Sequence, residues 1–303
     1  MFTVAMVVVT YNRAKWLQKN LASINNQAVS HIFIIDNNST DQTESVVNHF
    51  IETSLHPVTY HRSTTNLGGA GGFALGCQLA LAHANQFTHI WLSDDDVTFD
   101  KTCLKQLEPY LDQNNLLQPM RFDQQGNNAE ASSVNIDLSS IAILNHKRGS
   151  VMRSAWRHQQ TPFALADTPF EGVVVPRAVF NAIGIPDKRF FIFSDDLDFC
   201  LKAKSAGFGI LCIPKAKMTR LNCVRANKIP TNWKSYFIYR NFFYIQKHYG
   251  KNQWVKKRPY LIALGVMLAC LITGNFKGIR ILKDAISDAM NSDFPLNNKY
   301  IPQ

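Results

Sequence analysis

The sequence contains few cysteines, and none is paired in a way that indicates a disulfide framework or a zinc site. Its six cysteines are scattered over 303 residues, with no C-x-x-C pair and no histidine at zinc-ligand spacing. A chain of this length can bury roughly three quarters of its unfolded surface without covalent cross-links. The first apolar stretch is too short for a signal peptide. We therefore predict reduced cysteines in the core of a cytoplasmic protein with one large domain or two smaller ones.

The sequence also has no hydrophobic run long enough to cross a membrane. The longest run, Leu261–Ile272, has twelve residues, and as a helix it would span about 18 Å of a hydrocarbon core of roughly 30 Å. Three basic residues, Lys256, Lys257 and Arg258, precede it. We expect this segment either to lie on an anionic membrane surface or to pack on the body of the protein or against a second copy.

Acidic residues are scarce in the last third of the chain. Residues 201–303 carry 18 Lys and Arg but only 3 Asp and Glu, whereas residues 1–200 carry 14 basic and 19 acidic residues. The formal net charge of +10 therefore combines a mildly acidic body with a strongly basic C-terminal region. Such a region suggests a polyanionic partner. Neither RNP-like aromatic residues nor a recognition helix is found, so we predict no nucleic-acid partner.

Four strand–loop–helix units in the first hundred residues predict a parallel sheet flanked by helices. The strands are expected at Thr3–Val9, Ile32–Ile35, Val58–Tyr60 and His89–Leu92. Three polar clusters follow these strands, at Thr10–Arg13, Asp36–Asp41 and Asp94–Asp96. Because ligands bind at the carboxyl ends of parallel strands, we predict that the clusters converge on one site. After residue 120 the pattern is less regular, and residues 150–167 are expected to form a flexible connection.

The run Asp94–Asp96 places three adjacent carboxylates after a buried strand. Adjacent carboxylates repel one another, and a divalent cation would relieve that repulsion. Asp94 and Asp96 alternate along an extended turn, so both can point toward one metal ion and bind it through oxygen. The alternative is a solvated loop whose aspartates cap the following helix.

The segment Asn66–Phe73 is rich in glycine and precedes a helix expected at Phe73–Ala84. Such a loop lets the backbone approach a ligand closely, and the helix N-terminus favours anions. It matches neither a P-loop nor a dinucleotide-binding fingerprint, so a tight structural turn is the alternative.

Asp195 and Asp196 follow the aromatic stretch Phe190–Phe193. Two adjacent carboxylates beside apolar residues are candidates for a raised pKa and for accepting a proton. N-capping of a helix over Leu197–Ala206 is the alternative, although one aspartate suffices for that. No Ser-His-Asp or Cys-His arrangement suggests a covalent intermediate.

Together these motifs resemble the family 2 glycosyltransferases with the GT-A fold. The segments that carry the resemblance are Val4–Arg13, Ile34–Thr43, Asn66–Phe73 and Trp91–Val97. Phe190–Cys200, followed by Lys202–Gly209 and Tyr239–Asn241, resembles the branch that contains bacterial galactofuranosyl- and rhamnosyltransferases. The resemblance implies an α/β fold with a Rossmann-like, mostly parallel sheet. It also implies a catalytic domain over residues 1–250, with a nucleotide-binding half (1–120) and an acceptor half (121–250), before a basic helical region over 251–303.

The resemblance assigns roles to individual residues. The nucleotide-binding residues that it implies are Thr10, Tyr11, Asn12, Arg13, Asp36, Asn37, Asn66, Gly68, Gly69, Asp94 and Asp95. Asp94 and Asp96 would hold Mg²⁺ or Mn²⁺ on the donor diphosphate, and Asp196, with Asp195 as its competitor, would be the catalytic base. Related enzymes often supply a further histidine ligand, but Lys215–Asn222 contains none. Arg220 is therefore expected to offset diphosphate charge, unless aspartates alone hold the metal.

The implied reaction is inverting transfer of galactofuranose or rhamnose from a UDP- or dTDP-sugar to a hydroxyl of a glycan or lipid-linked glycan. The implied setting is polysaccharide biosynthesis, with peripheral attachment to the cytoplasmic face of the inner membrane, and a homo-oligomer is a further expectation. A nucleotidyltransferase has a similar sheet and acidic metal site, but its usual N-terminal glycine-rich loop with Arg or Lys is absent here. A decayed glycan- or nucleotide-binding scaffold is the non-enzymatic alternative.

Overall fold

A computed structural model describes residues 2–140, 142, 147–151, 158–222 and 232–302 of the chain. Part of the connection expected at residues 150–167 lies outside these ranges, as does Cys223. In the described residues nine strands form the central sheet: β1 (Val4–Thr10), β2 (His31–Asp36), β3 (Val58–Arg62), β4 (His89–Asp94), β5 (Val97–Phe99), β6 (Asn115–Phe122), β9 (Phe163–Ala164), β10 (Val174–Pro176) and β11 (Gly209–Arg220). A separate hairpin pairs β7 (Ser133–Ile136) with β8 (Lys147–Ser150).

The helices flank this sheet and form a layer at the C-terminal end. Their bounds are α1 (Ala14–Ile24), α2 (Thr43–Thr53), α3 (Gly68–Ala82), α4 (Cys103–Leu107), α5 (Arg177–Ile183), α6 (Asp195–Ser205), α7 (Trp233–Tyr249), α8 (Gln253–Ile272) and α9 (Phe276–Met290). The predicted α/β fold with a helical C-terminal region is confirmed.

The strand order is β3-β2-β1-β4-β10-β6-β11-β5, with β9 beside β11. The first four strands are mutually parallel, as predicted. The second half is mixed, because β10 runs antiparallel to β4 and β6, while β11 is parallel to β6 and antiparallel to β5. Thr10 pairs with Asp36 and Val9 with Asp94, so β1, β2 and β4 end at the same edge of the sheet.

Both faces of the sheet are covered, and this explains why the early strands are continuously apolar. Val7 and Phe33 face the cluster built with α3, α5 and α6, whereas Val8 and Ile34 face the cluster built with α1, α2 and α4. Five cysteines lie buried with free thiols, as predicted for the core: Cys77, Cys103, Cys200, Cys212 and Cys270.

Helix α3 begins at Gly68, five residues before the start expected from the sequence. Its glycines pack on β1: a Cβ on Gly72 would lie 2.5 Å from Val9 Cγ1, and one on Gly76 would lie 2.3 Å from Val7 Cγ1. The glycine-rich segment is therefore the first part of a helix rather than a loop before one, because only glycine allows the helix to approach the strand this closely.

The C-terminal helices α7, α8 and α9 pack on one another. Each begins at an asparagine whose side chain accepts a backbone N–H in the first turn: Asn232, Asn252 and Asn275. The predicted domain boundary at residue 250 falls between α7 and α8. In the ranges that the structure describes, no helix has the length and apolar character required to span a bilayer.

Candidate active site

Asp94 ends β4, and Asp95 and Asp96 form the turn to β5, which is held by helix α1. The buried side chain of Asn20 donates from Nδ2 to Ser93 Oγ (3.1 Å), to the Asp94 carbonyl (3.2 Å) and to the Val97 carbonyl (2.8 Å). These bonds join both strands that flank the turn to one side chain. Asn20 was not predicted as a site residue, because it occupies a buried position of an otherwise ordinary amphipathic helix.

The end of β1 contacts this turn directly. Thr10 Oγ1 donates to Asp95 Oδ2 at 2.7 Å, and the Tyr11 amide lies 3.4 Å from the same oxygen. Arg13, whose side chain is 41% exposed, donates from NH1 to Asp95 Oδ1 (3.0 Å) and to Asp96 Oδ2 (3.1 Å). The expected convergence of the β1 and β4 clusters is therefore confirmed, and Arg13 is ion-paired within the cluster.

The turn carries more negative charge than its partners neutralise. Burial, with the carboxylates of Asp96 and Glu171 next in importance, raises the pKa of Asp94 well above its usual range. Burial also raises the pKa of Asp95 to about 6, against the opposing effect of Arg13. The Oδ1 atom of Asp96 is buried and has no hydrogen-bond partner among the described residues. A buried carboxylate oxygen without a donor is a position that a cation would stabilise.

The residues present fit a divalent metal that is shared with a substrate. Across the described ranges, no group of three or more His, Cys, Asp or Glu side chains is arranged to hold a metal ion. Asp94 and the unpartnered oxygen of Asp96 are the ligands that remain. Mg²⁺ is commonly bound through one or two carboxylates, with the other positions filled by substrate phosphates and water.

A second charged group lies beside the turn, and of its members Arg220 was expected near the site whereas Glu171 and Arg121 were not predicted. Glu171 pairs with the buried Arg121 NH1 through Oε2 and with Arg220 NH1 through Oε1 at 3.4 Å. Arg220 pairs with Val97 in the β11–β5 register, and its charge acts on Asp96 to lower the pKa that burial raises. The signal in the sequence was an acidic residue shortly before the apolar strand β10, which is weak without knowledge of the sheet order.

The polar side chains at the end of β2 mainly form hydrogen bonds with other residues of the protein. Asp36 is fully buried and accepts from Tyr60 OH (2.9 Å) and from the Ser39 amide (2.8 Å). Asn37 donates from Nδ2 to the Gly68 carbonyl at 2.9 Å, whereas its Oδ1 is buried without a partner in the described residues. Asn37 therefore connects the end of β2 to the start of α3.

Asn12 organises the loop after β2. Its φ is +52°, and its Oδ1 accepts from the Thr40 amide at 2.7 Å, while its own amide donates to Ser39 Oγ at 2.9 Å. Its side chain is thus engaged with the 39–41 loop at the rim of the site.

The N-terminus of α3 joins this edge of the sheet to the second acidic cluster. Asn66 Oδ1 accepts from the Gly68 amide at 2.9 Å. Gly68 has φ +69°, and a Cβ there would lie 2.2 Å from the Phe191 carbonyl oxygen, which accepts from the Ala70 amide at 3.0 Å. A Cβ on Gly69 would meet no described heavy atom within 4 Å. Gly68 thus permits contact with the Phe191 loop, and Gly69 leaves space for a ligand.

The loop that leads to Asp195 has a strained backbone. Three residues other than glycine have positive φ, namely Phe191 (61°), Phe193 (68°) and Ser194 (64°). The Ile192 amide donates to the Phe190 carbonyl at 2.7 Å, which closes a tight γ-turn. Such conformations persist only when surrounding contacts enforce them, and they concentrate at functional sites.

Helix α7 supplies those contacts. Asn241 Nδ2 donates to the carbonyls of Phe190 (3.1 Å), Ile192 (2.8 Å) and Phe193 (2.8 Å). Arg240, also fully buried, donates from NH1 to the Arg189 carbonyl at 3.1 Å. The motif at residues 239–241, which contributed to the resemblance, therefore holds the loop in place.

Asp195 and Asp196 form the first turn of α6, which begins two residues earlier than expected. Ser194 is the N-cap residue, so neither aspartate has that position. Asp195 is buried, and this burial, together with Asp196, raises its pKa to about 8. Asp196 is half-buried, and its Oδ1 accepts from the Leu197 amide at 2.7 Å. Adjacent carboxyl groups titrate together, and burial favours the protonated form at Asp195.

The central sheet, with its parallel half and its helices on both faces, is consistent with the GT-A fold, and the comparisons with known proteins agree. The family model for glycosyl transferase family 2 matches residues 5–167. The chain therefore belongs to this family.

Among known proteins, the chain is 30% identical over 208 residues to the galactofuranosyltransferase GlfT1 of Mycolicibacterium smegmatis, and the match covers 64% of this chain and 63% of that protein. It is 33% identical over 113 residues to the abequosyltransferase RfbV of Salmonella typhimurium, where the match covers 36% and 32%. The chain thus spans less than two thirds of the length of the relatives that it matches.

Solved structures agree on the fold. GalNAc-T7, crystallised with UDP, GalNAc and Mn²⁺, superposes with a TM-score of 0.61 at 14% identity and covers 86% of this chain and 55% of that one. S. aureus TarS 1–349 in complex with UDP superposes with a TM-score of 0.56 at 16% identity, and the match covers 97% of this chain and 82% of that one.

Proposed function

We propose that the protein is an inverting glycosyltransferase that moves a sugar from a nucleotide diphosphate donor to an acceptor hydroxyl. The observation that carries the proposal is the turn at Asp94–Asp96, where a buried carboxylate oxygen without a partner among the described residues lies at the carboxyl end of β4. The strained loop that bears Asp195 and Asp196 is joined to the same edge through the start of α3.

The nucleotide is proposed to bind across the ends of β1 and β2 and the start of α3. The residues concerned are Thr10, Tyr11, Asn12, Arg13, Asp36, Asn37, Asn66, Gly68 and Gly69, with Asp94 and Asp95. The open space at Gly69 supports this, because a helix N-terminus with no side chain there can approach a phosphate. Both GalNAc-T7 and TarS were crystallised with UDP, which favours a uridine donor over dTDP.

Mg²⁺ or Mn²⁺ is proposed to bind Asp94 and Asp96. When bound, the ion would offset the charge of the leaving diphosphate. Arg13 holds Asp95 and Asp96 in position, and Arg220, anchored by Glu171, adds positive charge beside the same turn. This arrangement supports the idea that Arg220 offsets diphosphate charge where related enzymes place a histidine ligand.

Asp196 is proposed as the base that takes the proton of the acceptor hydroxyl. Asp195 is the less suitable candidate, because its burial and its pKa of about 8 leave it mostly protonated at neutral pH. The rigid loop before α6 fixes the carboxylate, as a base must be positioned within hydrogen-bond reach of the proton it removes.

Galactofuranose is the favoured sugar, since relatives matched over more than 200 residues are galactofuranosyltransferases. Rhamnose is the second choice. The acceptor is proposed to be a glycan or a lipid-linked glycan of the cell surface.

A thermal-shift screen of nucleotide sugars with and without Mn²⁺ tests the proposal. A ligand at about a hundred times its dissociation constant adds roughly 2.7 kcal/mol to the free energy of unfolding. We expect UDP-galactofuranose to raise the melting temperature in the presence of Mn²⁺. On transfer, proton NMR should show that UDP is released and that the anomeric carbon of the transferred sugar has the inverted configuration. Binding without donor hydrolysis or transfer would identify a decayed scaffold, and stabilisation by no nucleotide sugar would contradict the proposal.

A further inference from the structure

One face of helix α8 carries an apolar surface that nothing in the described structure covers. Eight of the fourteen exposed large hydrophobic side chains in the described ranges lie between residues 254 and 276: Trp254, Tyr260, Leu261, Leu264, Leu268, Leu271, Ile272 and Phe276. Most of them recur every three or four residues, which places them in one row along the helix. Ile272, at the end of the row, is 86% exposed. We call this row the α8 face.

The opposite side of α8 is packed in the ordinary way. Val255, Ala263 and Cys270 are buried, and the helix contacts α7 and α9. Asn252 Nδ2 donates to the Ser139 carbonyl at 2.6 Å, and Arg258 Nε donates to Gln246 Oε1 at 2.7 Å, so the N-terminal end is fixed to the rest of the protein. A helix that is apolar all round is normally buried all round. Within the described ranges, the α8 face therefore lacks an occupant.

The charge around the α8 face identifies the chemistry of that occupant. Residues 251–283 contain seven Lys and Arg and no Asp or Glu. Lys257 lies within the row, and Lys251 and Lys277 are exposed near its two ends. A contact that buried the row against a second copy would place the cations of one copy among those of the other. An anionic surface attracts them, at about 1 kcal/mol for each basic residue.

We propose that the α8 face docks on an anionic membrane surface, with the helix lying in the plane of the lipid head groups. The exposed rings of Trp254 and Tyr260 are side chains typical of the membrane–water interface. The leucine row would enter the acyl boundary, and the lysines would contact lipid phosphates. The inference rests on this surface alone, so it stands or falls independently of sugar transfer.

Co-sedimentation of the full chain with vesicles tests the proposal. We expect binding to vesicles of phosphatidylcholine with phosphatidylglycerol and little binding to phosphatidylcholine alone. The triple variant Leu261→Gln, Leu264→Gln, Leu268→Gln should weaken the partition constant at least tenfold. The variant Lys257→Gln with Lys277→Gln should weaken it by about fivefold per residue at low salt.

Matched variants control for charge and hydrophobicity. Ile51→Gln with Leu55→Gln removes exposed apolar side chains near the end of α2, and Lys15→Gln with Lys19→Gln removes exposed charge from α1. Neither should change vesicle binding, and circular dichroism should show all variants folded. Equal binding by the leucine variant and the parent would overturn the proposal. Light scattering that shows a dimer of the parent and a monomer of the leucine variant, without vesicle binding, would also overturn it and assign the α8 face to a second copy.

Discussion

The two acidic clusters of the candidate site differ in how their charge is balanced. At Asp94–Asp96, two carboxylates are ion-paired with Arg13, and arginines from β6 and β11 lie close by. At Asp195 and Asp196, burial and mutual repulsion dominate, and they raise the pKa of Asp195 to about 8. Burial raises the pKa of the aspartates in the first cluster as well, but there the arginines oppose the rise. The first arrangement suits a cluster that a cation would stabilise, and the second suits a pair that exchanges a proton.

The largest expected effect comes from removing the proposed base. Asp196→Asn should lower the transfer rate by roughly 10²–10⁴-fold, because proton removal by a positioned side chain contributes about that much. Donor binding, measured by calorimetry with UDP, should be unchanged. Normal turnover by this variant would assign proton removal to another group. The pair Asp195 and Asp196 would then have no proton-transfer role that distinguishes it from the cluster at Asp94–Asp96.

The next effect concerns the metal. Asp94→Asn combined with Asp96→Asn should weaken UDP binding in the presence of Mn²⁺ at least tenfold and abolish the difference between Mn²⁺ and metal-free buffer. Isothermal calorimetry measures both, and Asp195→Asn is the matched control that keeps the metal dependence. If the metal dependence survives the double substitution, the cation binds elsewhere.

Release of the strained loop should have an intermediate effect. Asn241→Ala removes the donor that binds three loop carbonyls, and we expect a loss of about 1–3 kcal/mol in the free energy of unfolding. Transfer should fall more than UDP affinity, since the loop leads to the proposed base and touches the proposed nucleotide site only at the start of α3. Urea denaturation measures the loss, and Asn26→Ala is the control, since it removes one exposed hydrogen bond near the end of α1. Parallel loss of UDP binding would show that the clusters are not independent.

The smallest effect is a pH dependence of stability. Asp195 binds its proton more tightly in the folded state than in the unfolded chain, so its contribution to stability is present at low pH and is lost as pH rises toward about 8. Asp195→Asn should therefore raise the melting temperature at pH 8, by about 2–4 °C for each kcal/mol that it restores to the free energy of unfolding. Near pH 4 the same substitution should change the melting temperature very little. The exposed Asp293→Asn serves as control. An equal shift at both pH values would contradict the buried, protonated state of Asp195.

Much of the first half of the fold could be predicted, because its signals are local. Continuous apolar strands followed by helical periodicity located β1 to β4. The place of β10 between β4 and β6 depends on pairing between distant segments, which local patterns do not contain. The start of α3 was misplaced because glycine is a poor helix former, and here its use is close packing on β1.

The candidate site divides in the same way. Side chains at strand ends were found because parallel strands bring them to one edge. Asn20, Arg121 and Glu171 were missed, since their importance comes from tertiary contacts with the turn. The backbone strain at Phe191–Ser194 has no signature in residue type, as none of these residues is glycine.

The bonds from Asn241 to the loop before Asp195 also imply an order of assembly. The acceptor carbonyl of Phe190 and the side chain that satisfies it are 51 residues apart in the chain. On a ribosome, the strands that bind the proposed nucleotide emerge first, whereas the loop that positions the proposed base stays without this partner until α7 has been made. The proposed base is therefore held in its final position only after α7 has been synthesised.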